Sequence, residues 1–456
     1  MKIIMNMLFF AILLNADGIS NPLTLDNALN ILKNKNIEIK VASIDEDVAK
    51  ANIEKTKGMN WGKLEFIQDI SRSNDAGNVF GFKLTSREAT FGDFGAREFI
   101  SSQTPTGFPN SAYTTPPNDL NYPDARNFFQ SKIKYELPIF TGFKIQSYTN
   151  IMKEMAKMKG LDKDKLVNEK VYQLKKSFYD MALLEDSIKH LNKILNNINI
   201  LEDTTKEMIN EGYAKHVDLL EVQAKKANVK RLVLQMQSNK KLLYHYISFL
   251  LNKDVTSIIA PTQSVKMPNY SDKYISKNNL DIQKASLGLN ITKNMEKVSK
   301  SAYYPMIGAF AEESTADDNF LTNANEHKAY TIGARVSWNI FNGGIDKANM
   351  QKARLNSMKT QEQVQLAKMG IKLKIAKIRT EIETYDNEIA SLKKELLLAN
   401  TIYKNYEGRY KEKLISMNDV IIKQSQQIEK ILQLQQIQNK RNERVFAFEK
   451  LANGEK

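Results

Sequence analysis

Residues 371–406 read IKLKIAKIRTEIETYDNEIASLKKELLLANTIYKNY. Apolar side chains fall at Ile371, Ile375, Ile378, Ile382, Tyr385, Ile389, Leu392, Leu396, Tyr403 and Tyr406, with the small Ala399 in the one remaining place. The steps alternate four and three, a 3.5-residue repeat that marks a helix packed along its whole length against other helices. An earlier stretch keeps the same rhythm at Val167, Val171, Leu174, Phe178, Met181, Leu184, Ile188, Leu191, Leu195, Ile198 and Leu201. A plain coiled-coil rod would carry this pattern too, so the ends of the rods decide the fold.

Ahead of the earlier rod the period changes. Trp61 to Gln68 alternates apolar and polar residues, as does the run through Phe129, Ser131, Ile133, Tyr135 and Leu137. A period of two is that of a strand. These runs predict strands at about 62–70 and 127–137, preceded by a helix over about 36–57. Residues 71–126, rich in Ser, Asn, Gly, Thr and Pro, read as a long loop in which Val79 to Thr85 forms a short strand or helix. Pro138-Ile139-Phe140-Thr141-Gly142 closes the second strand, and a long helix over 144–210 follows.

The second half repeats the first. Asn279-Leu280-Asp281-Ile282 matches Asn36-Ile37-Glu38-Ile39 at an offset of 243. Asn339-Ile340-Phe341-Asn342-Gly343 matches Pro138-Ile139-Phe140-Thr141-Gly142 at 201, as Asp419 matches Asp218. The long helices, 144–210 and 345–411, are therefore equal in length, about 100 Å at 1.5 Å per residue. The two offsets differ by 42 residues, an insertion in the loop between the first two strands. The predicted organisation is repeat 1 over 17–252, with a return helix at 217–252, then an interruption at 253–277. Repeat 2 over 278–456 has a helix at 278–304, strands at about 306–314 and 329–338, and a return helix at 416–452.

The chain has 456 residues, 42% of them hydrophobic, enough for a substantial core. No cysteine is present, which excludes disulfides, thiolate metal sites and cysteine nucleophiles. His190, His216, His245 and His327 are scattered, have no metal-ligand spacing and read as surface or interface residues. No Ser-His-Asp spacing or phosphate loop is present, so neither an enzyme nor a cofactor is expected. The N-terminus, Met-Lys followed by the apolar run Ile3 to Leu14 and then Asn15-Ala16, reads as a secretory signal over 1–16. The net charge of +14 comes from lysines spread through the helices. They read as solvated faces, and export argues against nucleic acid as a partner.

An export signal and two copies of helix–strand–strand–helix with ~100 Å rods together resemble the TolC family of outer-membrane efflux proteins. Leu25-Asp26-Asn27-Ala28-Leu29 is similar to the family's opening. Pro138 to Gly142 and Asn339 to Gly344 are similar to its strand-to-helix turns, with Pro138, Gly142, Gly343 and Gly344 as turn residues. Glu211 to Leu220 is similar to its helix-to-helix turn.

The resemblance implies a mainly α fold with a small β part. Three copies would build a twelve-stranded β-barrel in the outer membrane of a Gram-negative bacterium, continued as a helical tunnel into the periplasm. It implies a passive exit duct for efflux or type I secretion, working with a periplasmic adaptor and an inner-membrane transporter. It places a gate at Asp218 and Asp419 and an adaptor-facing tip at Gly212, Tyr213, Ala214, Lys413, Leu414 and Ile415. Lys413 departs from the pattern, standing where glycine is usual. Trp61, Phe66, Phe128, Phe129, Tyr135, Tyr303, Tyr304, Tyr330 and Trp338 would form interfacial girdles. Two or four alternating strands cannot close a barrel alone, so strands that meet lipid demand an oligomer. The competing reading is an exported structural coiled-coil or adaptor protein without a pore.

Overall fold

The computed structural model describes residues 22–453 apart from 263, 264, 321 and 323; the secretory signal expected at 1–16 lies outside them. The chain runs α1 (Leu25–Lys35), α2 (Ile37–Gly58), β1 (Lys63–Ser73), α3 (Ala76–Thr85), α4 (Ala96–Ser101), α5 (Asn118–Asn121), β2 (Arg126–Phe140) and α6 (Lys144–Asn210). It continues with α7 (His216–Leu251), α8 (Asp272–Asn278), α9 (Leu280–Lys300), β3 (Met306–Asp317), β4 (Lys328–Ser337), α10 (Ile345–Lys411) and α11 (Met417–Ala452). α6 and α10 have 67 residues each, and α7 and α11 have 36 each. No helix among the described residues is long and apolar enough to cross a membrane.

Two compact units are present. The first comprises residues 22–47, 157–286 and 362–453 and is entirely helical apart from its connections. Its core follows the repeat. Leu32, Leu174, Met181, Ile247 and Leu250 are buried in one cluster. Their counterparts Ile275, Ile375, Ile382, Phe448 and Leu451 are buried in another. A third cluster, with Leu191, Ile198, Leu201, Val222, Val229, Tyr403, Val420 and Ile428, lies between α6, α7, α10 and α11. Lysines expected as solvated faces also tie helices together: Lys163 pairs with Glu46 at 2.6 Å and Lys170 with Glu38 at 2.5 Å.

Two buried asparagines hold equivalent joints in this unit. Asn36 caps α2, accepting from the Ile39 N–H at 3.0 Å, and its amide donates to the Leu250 carbonyl at 2.8 Å. Asn279 caps α9 in the same way through Ile282 at 3.1 Å and donates to Leu451 O at 2.9 Å. Each side chain thus satisfies one orphan donor at a helix start and one orphan carbonyl at a helix end. The joints make the helix expected over 278–304 start instead at Leu280, after a separate short α8. Asn279→Ala removes the cap and strands a buried carbonyl. It is expected to cost about 2–4 kcal/mol in chemical unfolding, the sum of a cap and an unsatisfied buried acceptor. A loss under about 1 kcal/mol would show that water replaces the side chain.

The second unit, residues 48–156 and 287–361, holds one antiparallel sheet in the order β1-β2-β3-β4. The strands run beyond the expected 62–70, 127–137 and 306–314, and β2 continues through Pro138 to Phe140. Pro138, expected in the strand-to-helix turn, is therefore a strand residue. The pairing of β1 with β2 ends at Lys63 and Glu136, so β2 has only one partner at Pro138, and a register shift follows before Phe140. A missing N–H is tolerated at such a one-sided, bulged position.

The short element expected at Val79 to Thr85 is a helix, and residues 71–126 carry more structure around it than a loop. β1 takes the first part, α3 follows, and short helical turns occupy much of the rest. Asp75 caps α3, Lys83 pairs with Asp93, and Arg126 pairs with Glu88. Phe82 of α3 stacks on Phe128 of β2 with ring centroids 4.2 Å apart. Phe128 is consequently buried and is not a girdle residue.

Candidate functional site

Two helical hairpins end in turns that bear the expected tip residues. Both turns need a left-handed residue to end the long helix. Gly212 supplies it after α6 with φ 81°, and Lys413 supplies it after α10 with φ 64°. Glycine adopts this conformation freely, whereas lysine pays in steric crowding of its Cβ. Lys413 has compensating contacts: its Nζ lies 3.2 Å from the Glu211 carboxylate and 3.4 Å from the centre of the Tyr213 ring. The departure from glycine thus links the tip of one repeat to the tip of the other. Tyr213 and Leu414 are exposed, while Ala214 and Ile415 pack partly against the apolar cluster above the tips.

Asp218 and Asp419 stand at the third positions of α7 and α11. The Asp218 carboxylate accepts from the Lys215 N–H at 2.8 Å. Asp419 accepts from the Ser416 N–H at 3.2 Å and its hydroxyl at 2.7 Å, and Ser416 in turn accepts from the Asp419 N–H. Both are capping-box acids. Each is only half-buried, and one carboxylate can cap a helix with one oxygen and meet a cation with the other.

Polar links join the helices above the tips. Thr205 of α6 and Tyr410 of α10 are 3.2 Å apart, oxygen to oxygen, and buried. Gln424 of α11 donates to the Tyr403 hydroxyl at 3.3 Å. Burial pushes both tyrosines up, so they remain neutral partners. Glu202 is held at about 2, first by the hydrogen bond from Lys226.

The strand-to-helix turns lie in the second unit. Gly142 has φ 62°, and a Cβ there would stand 2.7 Å from the Ser301 carbonyl oxygen. Phe143 is also left-handed at φ 65°, matching Gly344 at 86° in the other repeat, while Gly343 matches Gly142 at 69°. The Phe143 ring is held by Phe140 and Tyr304 at 5.3 and 5.9 Å.

The sheet between these turns is two-faced. The register puts Leu64 beside Tyr135, Phe66 beside Ile133, and Ala311 beside Tyr135 and Ile332. Leu64, Phe66, Ile133 and Ile332 are all more than half exposed. The opposite face carries Lys63, Glu65, Lys132, Lys134, Glu136, Glu312 and Arg335, with pairs at 2.6 Å (Lys134–Glu136) and 3.3 Å (Lys132–Glu312). β1 and β4 are edge strands.

Unpartnered apolar residues also form stripes on two helices, a feature the sequence reading passed over. On α2 they are Ile37, Val41, Ile44 and Val48, and on α10 Leu366, Met369 and Leu373. Steps of four and three mark them in the sequence, but α2, at 22 residues, is too short to stand out as a rod. All seven are exposed.

No protein-family model matches the sequence, and no curated protein matches it. Solved structures do match. CusC, from a study of its folding and transmembrane channel formation, is similar over 94% of this chain and 91% of its own, with 12% identity and a TM-score of 0.76. The Campylobacter jejuni CmeC outer membrane channel is similar over 94% and 85%, with 14% identity and a TM-score of 0.75. The outer membrane protein VceC of Vibrio cholerae is similar over 94% and 96%, with 12% identity and a TM-score of 0.74. The chain has the fold of these proteins, mainly helical with a small antiparallel sheet.

Proposed function

We propose that three copies of this chain form an exit duct in the outer membrane of a Gram-negative bacterium. The sheet carries this reading. It exposes apolar side chains on one face, charges on the other, and an open edge at each side. Unpaired strand edges are not viable in hydrocarbon, where no water can satisfy them. Three sheets of four strands, joined β1 to β4, close the barrel with the apolar face toward lipid and the charged face toward a wet lumen. A soluble coiled-coil protein would leave Leu64, Phe66 and Ile332 without a reason to be exposed together.

The helical stripes support the same assembly, α2 of one copy packing against α10 of the next. The helices continue the duct as a periplasmic tunnel. Its tip, with Gly212, Tyr213, Ala214, Lys413, Leu414 and Ile415, receives a periplasmic adaptor, and an inner-membrane transporter supplies the energy. The chain itself is passive, with no catalytic part. Asp218 and Asp419 line the gate. Likeness in fold to the CmeC outer membrane channel supports the outer-membrane placement of the duct.

The test is mass measurement of detergent-extracted protein, followed by planar-bilayer recording. A trimer that conducts is expected. A monomer that inserts alone, or extraction without detergent, would overturn the reading.

A further inference from the structure

We propose that Glu88, Asp317 and His327 form a divalent-cation site that fastens the inserted segment to the β3–β4 hairpin. The proposal goes beyond the duct and does not depend on it. Each residue comes from a different place: Glu88 from the segment after α3, Asp317 from the end of β3, and His327 from the residue before β4. One ligand atom from each lies within 4.8 Å of the other two. An ion centred among three atoms at that spacing would be at most about 2.8 Å from each. Small side-chain rotations close the rest of the way to the ~2.0–2.2 Å of a zinc–nitrogen or zinc–oxygen bond.

Burial distinguishes this group from surface acids. Asp317 is 4% exposed and His327 is 8% exposed, whereas the other three histidines are exposed. The His327 ring is oriented: its Nδ1 lies 3.0 Å from the Ala316 carbonyl oxygen and 3.9 Å from the Asp317 carboxylate. With Nδ1–H donated to that carbonyl, the lone pair is on Nε2, the usual arrangement of a metal-bound imidazole. The carboxylates are braced as ligating carboxylates commonly are. Asp317 accepts from the Asp318 N–H at 2.7 Å, and Glu88 accepts from the Arg126 guanidinium through one of its two oxygens. Arg126 reduces the negative charge of the group, so affinity is modest and a borderline ion suits it. One imidazole and two carboxylates favour zinc or a similar transition metal over magnesium or calcium, which prefer all-oxygen shells. Glu88 lies in the segment between β1 and β2 that is longer than its counterpart in the second repeat, so the site would pin that segment to the end of the β3–β4 hairpin.

The experiment is calorimetric titration of chelator-treated, detergent-purified protein with zinc, and with magnesium for comparison. One zinc per chain is expected, not displaced by magnesium. His327→Ala and Asp317→Asn should each weaken binding by about tenfold or more, the scale seen for perturbing a metal shell. Zinc should also slow proteolysis within residues 74–125 of the wild type but not of the variants. Because both of those residues are buried, Glu88→Gln, on a partly exposed side chain, provides the same comparison if they fail to fold. Absence of zinc uptake by the wild type, or equal uptake by folded variants, would overturn the site and leave an ion-paired cluster. Neither outcome bears on trimer formation or conductance.

Discussion

Protein carrying Ile44→Asp or Leu373→Asp is expected to leave detergent purification as single chains rather than trimers. Both side chains are exposed in one copy, at 54% and 72%, and each sits within an apolar stripe with four- and three-residue steps. Isolated exposed apolar residues are ordinary on protein surfaces. A stripe at coiled-coil spacing is not, because it presents knobs for another helix. Burying such an isoleucine or leucine contributes about 1.5–3 kcal/mol. A carboxylate in its place must be stripped of water with no partner, which costs more. The proposed threefold assembly would repeat the change at every interface, so the loss would be taken three times. The fold of one copy should survive, since neither side chain belongs to a buried cluster. Unchanged helical circular dichroism with a monomer mass is the expected pair of results. Trimers of normal mass in both variants would show that the stripes face elsewhere.

The second large effect concerns the tips. Replacing both Asp218 and Asp419 by Asn should weaken cation selectivity and relieve block by multivalent cations in planar bilayers. In the proposed trimer the two positions would bring six carboxylates around one axis, where they would draw cations together. Asparagine is the informative choice because of the caps. Its side-chain oxygen can still accept the N–H of Lys215 or Ser416, so the helix starts persist. Alanine would remove charge and cap together, adding about 0.5–2 kcal/mol of local destabilisation per site. The coiled-coil seam near the tips, with Val222, Tyr403 and Val420, is untouched. Conductance, selectivity and block identical to wild type would mean that the two acids only cap helices and the constriction lies elsewhere.

The sequence by itself determined the long helices and their duplication. A 3.5-residue period and two constant offsets depend only on neighbours along the chain, and helices obey that local order. α6 and α10 accordingly share one length, and the counterparts of Leu174 and Leu250 are buried where the offset places them. The two-faced strands were legible for the same reason, since alternation is local.

Tertiary structure alone decided the features that join distant segments. Asn36 meets Leu250, and Asn279 meets Leu451, through bonds that no periodicity encodes. Polar composition made residues 71–126 read as a loop, yet Phe82 against Phe128 and Glu88 against Arg126 order part of that segment on the sheet. Pro138 stays in its strand because β1 has already stopped pairing beside it. Lys413 holds a glycine's conformation because Glu211 and Tyr213, two hundred residues earlier, receive its ammonium group. His327 was one of four scattered histidines until the hairpin and the insertion enclosed it with Asp317 and Glu88. In each case the deciding energy is a contact between residues remote in the chain, made available only when the fold has brought them together.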